Sequence, residues 1–184
     1  EKGVKELIVV AQDTTNYGTD IYGKPSLCEL LRELVKIDGI HWIRTLYTYP
    51  DKITDELLDL IASEEKLVPY LDIPIQHASD RILKKMNRHY TAEEYESLAY
   101  KLRSTFTDAT ITTDVLVGFP TETQEDFETT VDFCKRIKFE KTHVFPYSIR
   151  ENTVAARMEQ HTKAVKEERA SSLSGIMNTI RKEA

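Results

Sequence analysis

The sequence has few of the residues and segments that mark specialised protein classes. Only two of its 184 residues are cysteines, Cys28 and Cys134, and both fall within helical patterns. They are too few for a disulfide framework or a four-thiolate metal site, so we expect a reducing compartment, the cytoplasm. No apolar run approaches the ~20 residues of a membrane-spanning helix, and we expect no membrane partner. Glycine and proline, six of each, are too rare for a low-complexity chain.

An excess of positive charge is also missing. Lysine and arginine together number 25 against 31 aspartates and glutamates, which gives a net charge of −6. Because nucleic-acid-binding faces need clustered lysine and arginine, a nucleic-acid partner is disfavoured, whereas a basic protein partner stays compatible. Hydrophobic residues at 40% and charged residues at 30% are typical of a globular protein, and the length fits one domain.

Both ends of the sequence predict that the chain continues beyond them. Glu1 to Gly3 is typical of the end of a helix with Gly3 as its C-cap, and the chain closes within a helical pattern from Ala164 to Ala184. We therefore expect a piece of a longer protein.

Five short apolar runs predict β-strands. The first is continuous rather than alternating, as expected for a strand covered on both faces. The third contains Pro69 and Pro74, which favours a short pairing region. The runs are Glu6–Ala11, Trp42–Tyr47, Val68–Ile75, Thr110–Val117 and Thr142–Tyr147.

Helical patterns lie between these runs. Leucines on one face predict a helix over Ser26–Lys36. Thr54 and Thr123 are predicted N-caps, and Thr91 with Glu94 forms a predicted capping box. The residues predicted to face inward from the later helices are Leu57, Leu58 and Ile61, then Ile82, Leu83 and Met86, then Tyr95, Leu98, Ala99 and Leu102, then Phe127, Val131, Cys134 and Ile137.

The alternation of strand and helix predicts βαβ units, because strand starts are about 25–40 residues apart. Such units build a parallel sheet with helices outside, either open and doubly wound or curled into a barrel. Functional groups in these folds gather at the carboxyl ends of the strands. The predicted strand-end segments are Gln12–Gly18, Thr48–Asp51, Gln76–Asp80, Gly118–Thr123 and Tyr147–Ser148.

Single residues in these segments leave more than one role open. Gly118 could let the backbone approach a flat ligand, or could serve the turn alone. His77 could be a base or a metal ligand, but no second ligand stands at suitable spacing, which favours a site-lining or structural role. Asp13 and Asp114 are acid–base candidates that local capping explains equally well. From spacing alone, a barrel lyase, a cofactor enzyme and a binding domain all stay open.

Four segments, in this order and at this spacing, carry a family resemblance. They are Val10–Gly18, Leu46–Asp51, Leu71–Ser79 and Val117–Thr123. Together they resemble the radical SAM methylthiotransferases. Ala11–Thr15 and Gln76–Ala78 resemble the RimO-type branch, which methylthiolates the β-carbon of an aspartate in a small-subunit ribosomal protein. Phe145–Ser148 and Thr153–Ala156 resemble the family's last barrel strand and its exit.

The resemblance implies an α/β fold, a partial (β/α) TIM-like barrel of the radical SAM type with about five parallel strands and outer helices. These strands would be the second to sixth of the family's barrel. Residues 1–163 are then the partial barrel, and residues 164–184 are a helix leading to a substrate-binding domain outside this sequence. The open edge of the sheet would favour self-association of the isolated chain.

The resemblance also implies S-adenosylmethionine (SAM) and two 4Fe–4S clusters as cofactors of the longer protein. In the family, the cysteines that hold these clusters lie ahead of the matched segments, so this chain alone is expected to be inactive. The chain departs from the family at Thr121, where glycine is usual, and at Val154, where proline is usual. Thr121 removes the backbone freedom that glycine gives to its turn.

Site residues follow from the same resemblance, and all lie near predicted strand ends. None is implied to be catalytic or to bind metal. The implied contacts are Gln12 and Asp13 with the methionine end of SAM, Gln76 and Ser79 with its ribose or carboxylate, Val117, Gly118 and Glu122 with its adenine, Phe145 and Tyr147 over the adenine, and Tyr49 and His77 with the substrate.

Two further functions stay open. A tRNA adenosine methylthiotransferase would use the same chemistry, but that branch typically has Gly-Gln-Asn where this chain has Ala11–Asp13. A non-redox α/β barrel lyase needs a base within the chain and usually a metal or a Schiff-base lysine, and no lysine stands at a predicted strand end. A ligand-binding domain would need none of these groups.

Overall fold

The five strands belong to one sheet. A computed structural model describes residues 3–183, so the helix end predicted at Glu1 and Lys2 lies outside it. The strands are β1 Glu6–Val9, β2 Trp42–Thr45, β3 Leu67–Asp72, β4 Thr110–Val117 and β5 Lys141–Pro146. Their order in the sheet is β1-β2-β3-β4-β5. The pairings β1–β2, β2–β3 and β4–β5 are parallel.

All five predicted strands are confirmed, and β4 has the predicted bounds. The third strand differs, because it ends at Asp72 although the apolar run continues to Ile75. Pro74 has no N–H to offer a neighbouring strand. The backbone then forms a separate parallel bridge between Gln76 and Val115.

Seven α-helices accompany the strands in the described residues. The helix predicted over Ser26–Lys36 is shorter, since Ser26 is its N-cap and it ends at Leu34. The sequence did not predict α1, because four residues are too few to show a helical period. The helices are α1 Thr19–Tyr22, α2 Leu27–Leu34, α3 Asp55–Ser63, α4 Asp80–Lys85, α5 Ala92–Thr105, α6 Gln124–Ile137 and α7 Lys163–Glu183. Among residues 3–183, none of them is long and apolar enough to cross a membrane.

Side-chain caps fix where three helices begin. Thr54 accepts a hydrogen bond from the N–H of Leu57 at 3.2 Å, as predicted. The reciprocal bonds of Thr91 and Glu94 confirm the predicted capping box. Thr123 caps α6 as predicted, and Asp126 completes a second box. Each cap contributes about 1 kcal/mol to stability.

The chain divides into two compact units. Unit 1 comprises the residues up to Pro74 together with Leu98–Ile111, and unit 2 comprises Ile75–Ser97 together with the residues from Thr112 onward. In unit 1, α2 packs against α3, and α3 packs on β3. The side chains that fill this unit include Leu31, Ile43, Leu58, Leu71 and Leu102, all almost fully buried.

Unit 2 has a more aromatic interior. The Tyr95 ring meets Phe133 and Phe139 edge-on, each at a centroid distance of 6.0 Å. The last helix, α7, packs on β5 and on α6. It buries Leu173 and Met177, so α7 is part of this unit's core.

Candidate functional site

In unit 1, Asp13 follows β1 and Tyr49 follows β2, and both contact Thr15 and Lys52. The Asp13 carboxylate accepts hydrogen bonds from the Thr15 hydroxyl and from Lys52 Nζ, both at 2.5 Å. The Tyr49 N–H donates to Thr15 Oγ1 at 3.3 Å, and Lys52 Nζ lies 5.2 Å from the centre of the Tyr49 ring. Gln12 is exposed beside them. Parallel pairing explains this, because it places the two carboxyl ends side by side.

Unit 1 also contains a buried carboxylate that the sequence reasoning passed over. Asp72 ends β3, and its Oδ2 accepts the N–H of Tyr47 at 3.1 Å. Tyr47 has a φ of 56°, a left-handed conformation that costs a non-glycine residue about 1–2 kcal/mol. Asp72 thus holds the turn after β2 in place. A single charge inside the apolar run was the available signal.

In unit 2, the segment after β3 is fixed by its backbone. Gln76 has a φ of 70°. Its N–H donates to Asp114 O at 2.9 Å, and its carbonyl accepts the N–H of Leu116 at 2.8 Å. Strained non-glycine backbone of this kind concentrates at functional sites. The half-buried side chain of Gln76 is therefore aimed by a rigid backbone.

His77 lies in the interior of unit 2 with no exposed surface. The N–H of Ser79 donates to its Nδ1 at 3.0 Å. Because Nδ1 accepts, Nε2 carries the proton and donates it to Glu122 Oε2 at 2.7 Å. The ring thus connects the segment after β3 with the turn after β4. Of the roles left open by the sequence, the contacts favour the structural one.

Glu122 is the centre of the turn between β4 and α6. Its side chain is fully buried. Oε1 accepts the N–H of Gly118 at 3.0 Å and Arg169 Nη1 at 2.5 Å, while Oε2 accepts from His77. A buried carboxylate needs such a set of donors, because an unpaired one would cost several kcal/mol. The structure therefore brings Glu122, Gly118 and His77 together, and adds Arg169, which the sequence did not indicate.

Gly118 is required by close packing. Its φ is 70°, and a Cβ built on it would lie 2.7 Å from Cγ and 3.2 Å from Cα of Lys166. From the sequence, Gly118 was expected either to let the backbone approach a flat ligand or to serve the turn alone. In the structure, the group that fills this side of the glycine is α7. Thr121, in the same turn, also has a φ of 70°, which explains the glycine that the resemblance leads one to expect there.

Ser79 and Asp126 form a second buried contact between α4 and α6. The Ser79 hydroxyl donates to Asp126 Oδ1 at 2.7 Å. Burial would raise the pKa of Asp126, but hydrogen bonds from Arg81, Ser79 and Thr123 outweigh it and hold the pKa well below its usual range. The Ser79 proton is thus committed to Asp126, and its oxygen can offer a ligand only acceptor capacity.

An apolar cluster lies at the carboxyl ends of β4 and β5. Phe119 and Tyr147 pack edge to face with their centroids 5.4 Å apart. Within the described residues, the buried hydroxyl of Tyr147 has no hydrogen-bond partner. The cluster consists of Ile82, Phe119 and Tyr147, with Met86, Leu116, Ala155 and Met158 packed against it.

Two more predicted residues flank this cluster. Phe145 is 49% exposed on β5, and its ring stacks on that of His143 with centroids 6.3 Å apart. Val117 is fully buried, so its side chain belongs to the core. Of the aromatic pair predicted to cover the adenine, Phe145 is open and Tyr147 is enclosed.

The comparisons with known proteins decide the family. The model of the radical SAM superfamily matches residues 1–134. The chain belongs to the radical SAM superfamily. This is the superfamily that the four sequence motifs indicated.

Individual radical SAM relatives match nearly the whole chain. The ribosomal protein uS12 methylthiotransferase RimO of Lachnoclostridium phytofermentans is 52% identical over 98% of this chain and 41% of its own length. The RimO of Clostridioides difficile is 48% identical over 100% of this chain and 41% of its own length. The predicted resemblance to methylthiotransferases is confirmed. The chain spans about two fifths of the length of these relatives.

Two solved structures share the fold. Coproporphyrinogen III oxidase (HemN) of Escherichia coli matches with a TM-score of 0.66 at 19% identity, over 84% of this chain and 36% of that one. Elp3 of Methanocaldococcus infernus matches with a TM-score of 0.59 at 15% identity, over 95% and 45%. At these identities the likeness supports the fold alone. The predicted fold class, a partial (β/α) barrel of the radical SAM type, is confirmed.

Membership of this superfamily implies SAM and a 4Fe–4S cluster. The apolar cluster of unit 2 has the chemistry that suits the adenosine part of SAM, because it combines apolar and aromatic side chains with the Tyr147 hydroxyl, which has no partner among the described residues. An iron–sulfur cluster does not fit the chain itself, since residues 3–183 contain no group of three histidine, cysteine or acidic side chains able to hold a metal. Both cysteines are buried, and burial raises the pKa of Cys134 to about 12.

Proposed function

We propose that this chain is the core of a radical SAM methylthiotransferase that modifies the β-carbon of an aspartate in a small-subunit ribosomal protein. The observation that carries the proposal is the 52% identity with a uS12 methylthiotransferase over 98% of the chain. The net charge of −6 supports a basic protein partner. A second 4Fe–4S cluster in the longer protein, and a substrate-binding domain to which the helix of residues 164–184 leads, belong to the same proposal.

The proposed cofactor contacts in unit 2 divide by chemistry. Phe145, whose ring is half exposed, is proposed to meet the adenine, and the buried pair of Tyr147 and Phe119 is proposed to support it from within unit 2. Gln76 provides polar atoms for the ribose or carboxylate, and Ser79, whose proton is donated to Asp126, provides an acceptor for a ribose hydroxyl. Val117, Gly118 and Glu122 act through the shape of the turn, because their atoms are buried or already engaged.

In unit 1, the proposed contacts are polar. Gln12 and Asp13 are proposed to meet the methionine end of SAM, where the half-buried Asp13 carboxylate suits an ammonium group. Tyr49 is proposed to line the substrate. The ring of His77 in unit 2 is enclosed, so we propose that His77 acts on the substrate side indirectly, by holding Glu122 in place. SAM bound in the longer protein would supply, with one electron from the reduced 4Fe–4S cluster, the radical that removes hydrogen from an unactivated C–H bond. The residues of this chain bind, orient and exclude water.

The reaction itself tests the proposal. Full-length protein with reconstituted clusters is incubated with SAM, reductant and either ribosomal protein uS12 or tRNA, and each product is analysed by mass spectrometry. We expect a methylthio group on an aspartate of uS12 and unmodified tRNA. Modified tRNA adenosine with unmodified uS12 would show that the substrate is wrong, and the absence of SAM cleavage with either would contradict the whole proposal.

A further inference from the structure

The last helix, α7, contacts the turn between β4 and α6 at two points. Arg169 reaches Glu122, and Lys166 packs against Gly118. We propose that Arg169 is a positioning residue for SAM, acting through Glu122 on the conformation of the turn from Gly118 to Glu122. The inference rests on the proposed function, because it assumes that this turn shapes the cofactor site.

Arg169 is well placed to control Glu122. Its side chain is only 11% exposed, and Nη1 donates both to Oε1 at 2.5 Å and to the main-chain oxygen of Glu122 at 3.2 Å. Its guanidinium carbon also lies 5.6 Å from the centre of the Phe127 ring. Arg169 supplies the positive charge to a carboxylate that has no exposed surface. The other groups that donate to the Glu122 carboxylate, Gly118 N–H and His77 Nε2–H, are neutral in this arrangement.

The second contact lies one helical turn earlier on the same face of α7, since residues three apart are neighbours on a helix. The Lys166 backbone comes within 3.2 Å of a Cβ placed on Gly118. Lys166 Nζ lies 5.0 Å from the centre of the Tyr147 ring. The helix therefore packs against Gly118 at the start of the turn and forms an ion pair with Glu122 at its end.

The turn from Gly118 to Glu122 also contributes to the apolar cluster. Phe119 follows Gly118, and its ring packs edge to face on Tyr147. If Glu122 loses its charged partner, the Gly118 N–H and the His77 ring lose a fixed acceptor, and Phe119 is no longer held against Tyr147. Loss of the Arg169 charge should thus appear as weaker binding of the adenosine part of SAM, ahead of any loss of the fold.

The test uses full-length protein and three variants. Arg169→Gln removes the charge, Arg169→Lys keeps it with a shorter reach, and Met177→Ala is the control. Met177 is buried in α7 two turns further on, so its truncation destabilises the same helix without touching the turn. Affinity for SAM is measured by equilibrium dialysis with reconstituted clusters. Hydrogen exchange of the amides of Gly118, Phe119, Thr121 and Glu122 is measured without clusters or SAM.

We expect Arg169→Gln to raise the Kd for SAM about tenfold, equivalent to ~1.4 kcal/mol, and to speed exchange in residues 118–122. Arg169→Lys should fall between this variant and the wild type. Met177→Ala should lower Tm and leave the Kd within about twofold, because distant sites act independently. If Arg169→Gln fails to fold, the comparison of Arg169→Lys with Met177→Ala decides.

Three outcomes overturn the inference, and they can be told apart. Wild-type protein that binds SAM, with unchanged affinity and exchange in the Arg169 variants, contradicts the role of Arg169 and leaves the proposed function standing. Reconstituted wild-type protein that does not bind SAM contradicts the proposed function and the inference with it. Equal losses of affinity in Met177→Ala and Arg169→Gln would show a general effect of helix stability, and would also overturn it.

Discussion

Single buried polar residues decide how unit 2 is held together. Asp126 illustrates this, because one carboxylate caps α6, accepts from Ser79 of the preceding segment and pairs with Arg81 of α4. Glu122 does the same for the turn after β4. By contrast, Cys134 is a buried free thiol, and burial raises its pKa, which makes it a poor nucleophile.

Replacement of Asp126 by Asn should destabilise the protein in a pH-dependent way. The folded-state pKa of Asp126 is lowered, so its contribution is present above the unfolded-state value of about 3.9 and is lost as the pH falls through the folded-state value. We expect Asp126→Asn to cost about 1–3 kcal/mol at pH 7. Thermal unfolding followed by circular dichroism from pH 7 to pH 3 measures the difference from wild type.

That difference should shrink towards the acid end of the range. Asp132→Asn is the matched control, since Asp132 lies on the same helix with a largely exposed side chain, and it should change Tm little at any pH. A constant difference for Asp126→Asn across the range would show that its charge does not contribute.

At the scale of elements, the features set by local sequence patterns could be predicted, and the contacts between residues far apart in the chain could not. The strands follow from apolar runs, and the helix starts follow from Thr54, Thr91 and Thr123, because capping depends on residues only three positions apart. The pairing of Glu122 with Arg169 spans 47 residues. No periodicity reports such a contact, and the sequence implies a role for Glu122 only through the family resemblance and none for Arg169.

The same reasoning explains the errors at element ends. The sequence extended the third strand to Ile75 although Pro74 ends its pairing, because the apolar pattern outlasts the hydrogen bonds. The role of Gly118 was open between a ligand and a turn. The structure adds a third group, α7, whose approach depends on tertiary packing and has no local signature.

Two glycine substitutions should have opposite effects. Gly118→Ala places a Cβ in a left-handed backbone and against Lys166, so we expect it to destabilise by about 1–3 kcal/mol and to weaken SAM binding in the full-length protein. Gly175→Ala adds a Cβ on α7 that meets no atom within 4 Å apart from its chain neighbours and the backbone of its own helix. It should stabilise by about 0.5–1 kcal/mol.

Chemical denaturation of both variants measures these changes. A neutral or stabilising Gly118→Ala would show that the turn can move away from α7, and would remove the packing argument. A destabilising Gly175→Ala would show that α7 depends on its glycine for a reason other than helix propensity.

At the scale of the whole molecule, the sheet has an edge that invites association. β1 is the first strand in the sheet order, and Ile8 on it is 48% exposed. Edge strands with exposed apolar side chains template pairing between chains. We expect the 184-residue chain on its own to self-associate with rising concentration, as measured by sedimentation velocity.

A charge on that strand should reduce the association. Ile8→Lys acts as a gatekeeper on the edge, whereas Ile21→Lys changes a still more exposed residue on α1, where Ile21 is 63% exposed. Only the first should shift the chain towards monomer. A wild-type chain that stays monomeric at high concentration contradicts the expectation, and equal effects of both variants would assign the association to general surface hydrophobicity.

The most direct test of the proposed function compares two molecules from the same cells. The gene for the full-length protein is deleted, and ribosomal protein uS12 and bulk tRNA are analysed by mass spectrometry beside the parent strain. The account predicts that uS12 loses a methylthio group from an aspartate while the methylthioadenosine of tRNA is unchanged. Intact methylthiolation of uS12 in the deletion strain, with loss of the tRNA modification, would contradict it.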